Sequence, residues 1–128
     1  MAFSISEREV QGVTILDLQG RLVLEDGVPL FVERMNLLIR HAQKRMVLLN
    51  FADVTYLDSA GVGAIAWKYA TALKQDGHVK LLNLRRKTHN VLKTTRLLTV
   101  MQTFDSEQAA IDSFSAQEDD EDVNPIFT

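Results

Sequence analysis

The chain has 128 residues, 46% of them hydrophobic and 24% charged, with a formal net charge of −3 and no cysteine. That length and balance fit one globular domain with a sizeable core, and the missing cysteine excludes disulfides, thiolate catalysis and thiolate metal sites. No apolar run approaches the ~18 residues of a membrane span, the opening Met1-Ala2-Phe3-Ser4-Ile5 lacks a signal peptide's order, and His41, His78 and His89 offer no zinc spacing, so the expectation is a cytoplasmic domain with no metal, cofactor or membrane.

In chain order, residues 3–10 and 13–19 read as strands joined by a hairpin turn at Gln11-Gly12. Gly20 ends the second strand, 21–27 is a connection, and Pro29 suits the first turn of a helix whose face carries Leu30, Met35, Leu38, Ile39 and Ala42. Residues 46–51 form a short apolar run typical of a buried strand. Val62, Ile65, Ala66, Tyr69, Ala70 and Leu73 then recur with the spacing of an amphipathic helix, which Asp76-Gly77 stops. A strand over 78–84, a shorter helix over 86–95 and an edge strand over 100–104 follow. Asp105 with Gln108 resembles a capping box before a last helix carrying Ala110, Ile111 and Phe114. The order ββαβαβαβα predicts an α/β domain, a mixed sheet of about five strands packed against four helices joined by right-handed crossovers. No glycine-rich phosphate loop is present.

Ser59 falls at or next to the start of the helix after the third strand, where a hydroxyl can cap, attack or accept a phosphate. A hydrolase nucleophile elbow requires glycine on both sides of the serine, and here Leu57 stands opposite Gly61. A nucleophile also needs a base, and the histidines lie in no second catalytic motif. A phosphoserine needs less, because a helix N-terminus offers N–H donors and a favourable dipole to an anion. Asp53 and Asp58 would repel that phosphate, so modification should change the surface more than the fold.

Two charge features stand apart. Glu118-Asp119-Asp120-Glu121-Asp122 places five carboxylates in a row, leaving twelve acidic residues against fourteen basic ones elsewhere. The reading is a domain over residues 1–116 and an acidic, disordered tail over 117–128; the alternative is that 123–128 form a short sticky motif. Arg85-Arg86-Lys87, with Lys93 and Arg96, lacks the interleaved aromatics of a nucleic-acid surface and reads as a solvated helix start.

The run from Val47 through Asp53, Asp58, Ser59, Gly61 and Gly63 resembles the signature of STAS domains in bacterial anti-sigma-factor antagonists, and the likeness extends from Val13 to Phe114, with Gly20, Gly77 and the turn Phe104-Asp105-Ser106-Glu107. The resemblance implies that Ser59 is phosphorylated by a partner that is both a serine kinase and an anti-sigma factor. Unphosphorylated Ser59 would then mark the form that captures the kinase and frees the sigma factor, and a serine phosphatase would reset it. The implied protein is not an enzyme and is a monomer or weak dimer. Its partner surface would be Asp58, Ser59, Ala60, Gly61, Gly63 and Trp67, with Glu25 and Asp26. Alternatives are a STAS scaffold subunit of a larger signalling assembly, or an enzyme with Ser59 as nucleophile.

Three departures from the common pattern bear on partner recognition. Glu25 and Asp26 arrive later after Gly20 than the family's acidic residue, Asn50 stands where many members carry aspartate, and Trp67 occupies a position that is frequently small. Trp67 is either an exposed interface anchor or a side chain packed under the 21–27 connection. Gly61→Val is expected to harm binding more than stability.

Overall fold

The computed structural model describes the backbone of residues 2–123 and the side chains as far as Ser115. Strands β1 (Ser4–Val10) and β2 (Val13–Leu22) form an antiparallel hairpin. The turn between them places Gln11 and Gly12 at φ 51° and 83°, the pair of positive values that a type I′ hairpin turn requires and that glycine adopts without strain at the second position. Strands β3 (Met46–Leu57), β4 (His78–Leu82) and β5 (Thr103–Phe104) then add in parallel, giving a five-stranded mixed sheet in the order β1-β2-β3-β4-β5.

Helices α1 (Val28–Asn36), α2 (Ser59–Lys74) and α3 (Arg86–Thr94) cover one face of the sheet and α4 (Glu107–Val123) covers the other. The first core joins Leu16, Leu18 and Leu22 of β2 with Phe31 and Met35 of α1, Ile65 of α2 and Leu92 of α3. The second places Val13, Ile15 and Leu48 under Ala110, Ile111 and Phe114 of α4. Alternate residues of β2 therefore serve opposite cores, as strand pleating demands. The architecture is the predicted single α/β domain.

Several local expectations need correction. β3 continues to Leu57, because Val54 and Leu57 still bury in the first core and the strand keeps its pairing with β2. β5 spans two residues, not 100–104. Arg96 turns left-handed at φ 66°, a 3-10 turn covers Leu97–Thr99, and Leu97 and Met101 bury from this loop, so the apolar pattern there serves irregular packing. α1 widens into a π turn over Leu37–His41; Phe31 is its buried aromatic, whereas Leu30 and Ala42 are exposed. The cap of α4 is Ser106, whose hydroxyl accepts from Ala109 N at 3.2 Å, rather than Asp105.

The buried face of α2 is also rotated from the predicted stripe: it consists of Gly61, Ala64, Ile65, Lys68, Thr71 and Ala72, while Ala70 and Leu73 face outward. Small and apolar residues surround most of this helix, so periodicity alone selects no face. The close approach of Gly61 to β2 does. The acidic tail expected over 117–128 lies beyond the described side chains, and 124–128 lie outside the described residues altogether.

Candidate functional site

α2 begins where β3 ends, at the edge of the sheet formed by the C-terminal ends of the parallel strands. Asp58 is the cap: its backbone is extended and its Oδ1 accepts from Gly61 N at 2.9 Å. Its second oxygen, Oδ2, accepts from Leu24 N at 3.1 Å. One carboxylate thus closes the first turn of α2 and pins the loop leading out of β2. With Asp58 capping, Ser59 is the first helical residue. Its side chain is exposed, and its hydroxyl has no hydrogen-bond partner among the described residues.

From Ser59 the exposed edge of α2 runs through Gly63 to Trp67, successive residues four apart on one side of the helix. A Cβ at Gly63 would meet nothing within 4 Å. Trp67 is 57% exposed, which answers the open alternative: it does not pack under the 21–27 connection. Ala60 is half-buried. Gly61 is buried, and a Cβ there would collide with the Leu22 carbonyl oxygen and Leu57 Cδ1. It belongs to the packing of α2 on β2, not to the accessible surface.

The two acidic residues of the loop separate in the same way. Glu25 is exposed beside Leu24. Asp26 is half-buried and its Oδ1 accepts from Phe3 N at 3.1 Å, so it clamps the approach to β1. Sequence reasoning missed Leu24, 62% exposed, and Tyr56, half-exposed at the end of β3 with the Arg21 guanidinium 5.6 Å from its ring centroid. A leucine following Leu22-Val23 reads as core, and the Arg21–Tyr56 pairing depends on a register shift between β2 and β3 that no local pattern announces.

Asn50 is half-buried and committed to hydrogen bonds within the domain. Its Nδ2 donates to Asp17 Oδ1 at 2.8 Å, and its Oδ1 accepts from Asn83 Nδ2 and Ala52 N, each at 3.1 Å. Asp17 in turn receives Arg8 Nε at 2.7 Å, and Arg8 also grips Glu107 of α4. These bonds hold the Asp17 and Glu107 carboxyls below their ordinary values, chiefly through Arg8, and raise the guanidinium of Arg8, chiefly through Glu107. An aspartate at Asn50 would set a second carboxylate against Asp17 and forfeit its donor.

The histidines lie apart from the serine. His41 closes the π turn ahead of β3 and His78 opens β4, both at the opposite edge of the sheet; His89 sits on α3 with no hydrogen bond to Ser59. The basic cluster flanks an open groove of about 790 Å³ between β2, β3 and the start of α3, lined by Arg21, Arg85, Arg86 and Lys87 with Asp53 and without aromatic side chains. Arg85 is committed through Nε to Ala52 O at 2.6 Å.

The fold and this site define an α/β module whose accessible chemistry is a serine at the start of a helix, bordered by an open glycine and a tryptophan. The chain belongs to the STAS domain family, whose model matches residues 4–110. It is similar to an anti-sigma F factor antagonist of Paenibacillus polymyxa, 23% identical over 111 residues that cover 87% of this chain and 94% of that protein. Its fold matches a putative anti-sigma factor antagonist from Thermotoga maritima, with a TM-score of 0.79, 22% identity and coverage of 85% of this chain and 92% of the other. It also matches the anti-sigma factor antagonist SpoIIAA in its unphosphorylated form (TM-score 0.69, 20% identity, 89% and 98% coverage) and the Bacillus SpoIIAA in its phosphorylated form (TM-score 0.67, 22% identity, 88% and 99% coverage). Among the described residues no helix is long and apolar enough to cross a membrane.

Proposed function

We propose that this protein is an anti-sigma-factor antagonist, a binding protein rather than an enzyme. Its capture of a serine-kinase anti-sigma factor is governed by phosphorylation of Ser59. The observation that carries the reading is the exposed, unpartnered Ser59 hydroxyl beside a cap that Asp58 already supplies. A serine that is not needed as the cap is available to a kinase. The relatives named as antagonists, one of them seen with and without phosphate, support the same reading.

A phosphate on Ser59 would meet opposing forces. The Gly61 N–H is taken by the Asp58 side chain and that of Val62 by the Asp58 carbonyl, which leaves the N–H groups of Ser59 and Ala60 for the anion. The Asp58 carboxylate repels it. The modification therefore adds charge and bulk at the surface without a strong internal partner. Partner contact is assigned to Asp58, Ser59, Ala60, Gly63, Trp67 and Glu25, joined by Leu24. A serine phosphatase completes the cycle, which takes place in the cytoplasm.

The test is incubation with ATP and each serine-kinase anti-sigma factor of the source organism, followed by intact mass and peptide mapping. One added phosphate on Ser59, absent from Ser59→Ala, is the expected result. Ser59→Asp should weaken kinase binding by at least ~1.5 kcal/mol, while Ser59→Ala retains it. Phosphate on another residue with Ser59 unmodified, or equal affinity of the two variants, would remove the switch.

A further inference from the structure

Lys68 lies on the face of α2 that meets α1 and is 1% exposed, yet no carboxylate pairs with it among the described residues. Its Nζ has two partners. Asn36 Oδ1 accepts from it at 2.7 Å, and the Trp67 ring centroid lies 3.5 Å away. Burial, with the nearby positive charge of Arg40, pushes the ammonium below its ordinary pKa. A methionine or leucine would fill this seam without desolvating a charge, so as a packing residue the lysine is a costly choice.

What the ammonium supplies is a hold on the indole. Trp67 is more than half exposed, a setting in which side chains exchange rotamers freely, and a cation against the ring face favours one of them. Asn36 fixes the ammonium from the last residue of α1 before the helix widens into its π turn. This bond links α1 to the ammonium that lies against the ring.

We infer that Lys68 is a positioning residue, whose buried ammonium, held by Asn36 and laid against the indole, fixes Trp67 in the pose that inserts into an apolar socket on the protein partner docked over Ser59 and Gly63. The inference rests on the proposed role of the Ser59 surface. A ring already held in its bound orientation loses little freedom on association, the condition under which an exposed tryptophan dominates an interface.

Trp67 is the single tryptophan of the chain, so fluorescence of the full-length free protein reads it alone. Lys68→Met keeps the seam filled and removes the charge, and Asn36→Ala removes the acceptor from the other helix. Both should lower the anisotropy of Trp67 and raise its acrylamide quenching constant about twofold while the circular dichroism spectrum stays unchanged. With the kinase that modifies Ser59, Lys68→Met should lose about tenfold in affinity, and the double variant with Trp67→Ala should bind no more weakly than Trp67→Ala alone. Unchanged anisotropy and quenching in both single variants, or additive losses in the double variant, would overturn the inference. Should Lys68→Met fail to fold, Asn36→Ala carries the same fluorescence readout. Failure of Ser59 to accept phosphate, with the fluorescence changes as expected, would count against the Ser59 reading and leave the hold of Lys68 on Trp67 standing.

Discussion

The Asp58 carboxylate reaches from the first turn of α2 to the backbone N–H of Leu24, 34 residues earlier, while its other oxygen caps the helix at Gly61. The residue beside the candidate phosphoacceptor thus sets both the start of α2 and the course of the loop carrying Leu24 and Glu25. Asp58→Ala should cost about 1–2 kcal/mol in denaturant unfolding, and the amides of Gly61 and Leu24 should lose hydrogen-exchange protection together. Faster exchange at Gly61 alone would mean that the loop is held by other contacts.

Two glycines in the same turn and a half should respond in opposite ways. A side chain at Gly61 collides with Leu57 Cδ1 and with the Leu22 carbonyl, which cannot move without disturbing the sheet, so Gly61→Val should destabilise by at least ~2 kcal/mol. This reverses the expectation from sequence, which placed the damage in binding. Gly63 faces open space, and Gly63→Ala should stabilise the helix by ~0.5–1 kcal/mol. Thermal melts of the two variants decide the ordering. Gly63→Val should also weaken kinase binding, since it fills the gap between Ser59 and Trp67.

Much of this was legible because local chemistry and tertiary structure agree. Gln11-Gly12 can form only a few turns, the apolar runs of β2 and β3 admit little but buried strands, and the run through Asp58 and Ser59 carries its own family signature. The features that escaped depend on distant partners. Nothing near Gly61 in sequence marks the Leu22 carbonyl that makes its hydrogen necessary, and a lysine at position 68 reads as exposed until Asn36 and Trp67 are brought to it. Asp26 likewise reads as surface charge until Phe3 N arrives as a donor. Thr103 and Phe104 form so short a strand because Leu97 and Met101 are drawn into the first core, a competition that apolar spacing cannot display.

Acid should loosen the attachment of α4. Arg8 ties Asp17 of β2 to Glu107 at the start of α4, and both carboxyls sit below their ordinary values of 3.8 and 4.5. A lowered folded-state pKa contributes stability that is present above the ordinary value and lost as pH falls through the folded one. Unfolding free energy should therefore decline below about pH 4.5, and Arg8→Met should flatten that decline. The three side chains are about a third exposed, so the gain for each pair stays at or below ~1 kcal/mol. An unchanged acid slope in Arg8→Met would assign the acid sensitivity elsewhere.

Beneath α4, Lys80 of β4 is 3% exposed and its Nζ donates to the Ser113 carbonyl at 3.1 Å and to Ser113 Oγ at 2.9 Å, with the Phe114 ring centroid 4.5 Å away and no carboxylate in contact among the described residues. Burial lowers its pKa from the ordinary 10.5, so the native state bears the cost of a desolvated ammonium at neutral pH. Lys80→Met leaves the Ser113 hydroxyl donating to Ala110 O at 2.6 Å and sets a thioether against Phe114 and Phe104. The variant should be more stable by about 1 kcal/mol at pH 7. The sign of the pH dependence follows: wild-type stability should rise as pH climbs from the lowered folded value of Lys80 towards 10.5, where the unfolded chain also releases its proton. Lys80→Met should lose its own share of that rise, retaining the part that Lys68 contributes in the same direction. Urea titrations at neutral and alkaline pH measure both effects, and a Lys80→Met protein less stable than wild type at pH 7 would show that the bonds to Ser113 outweigh the buried charge.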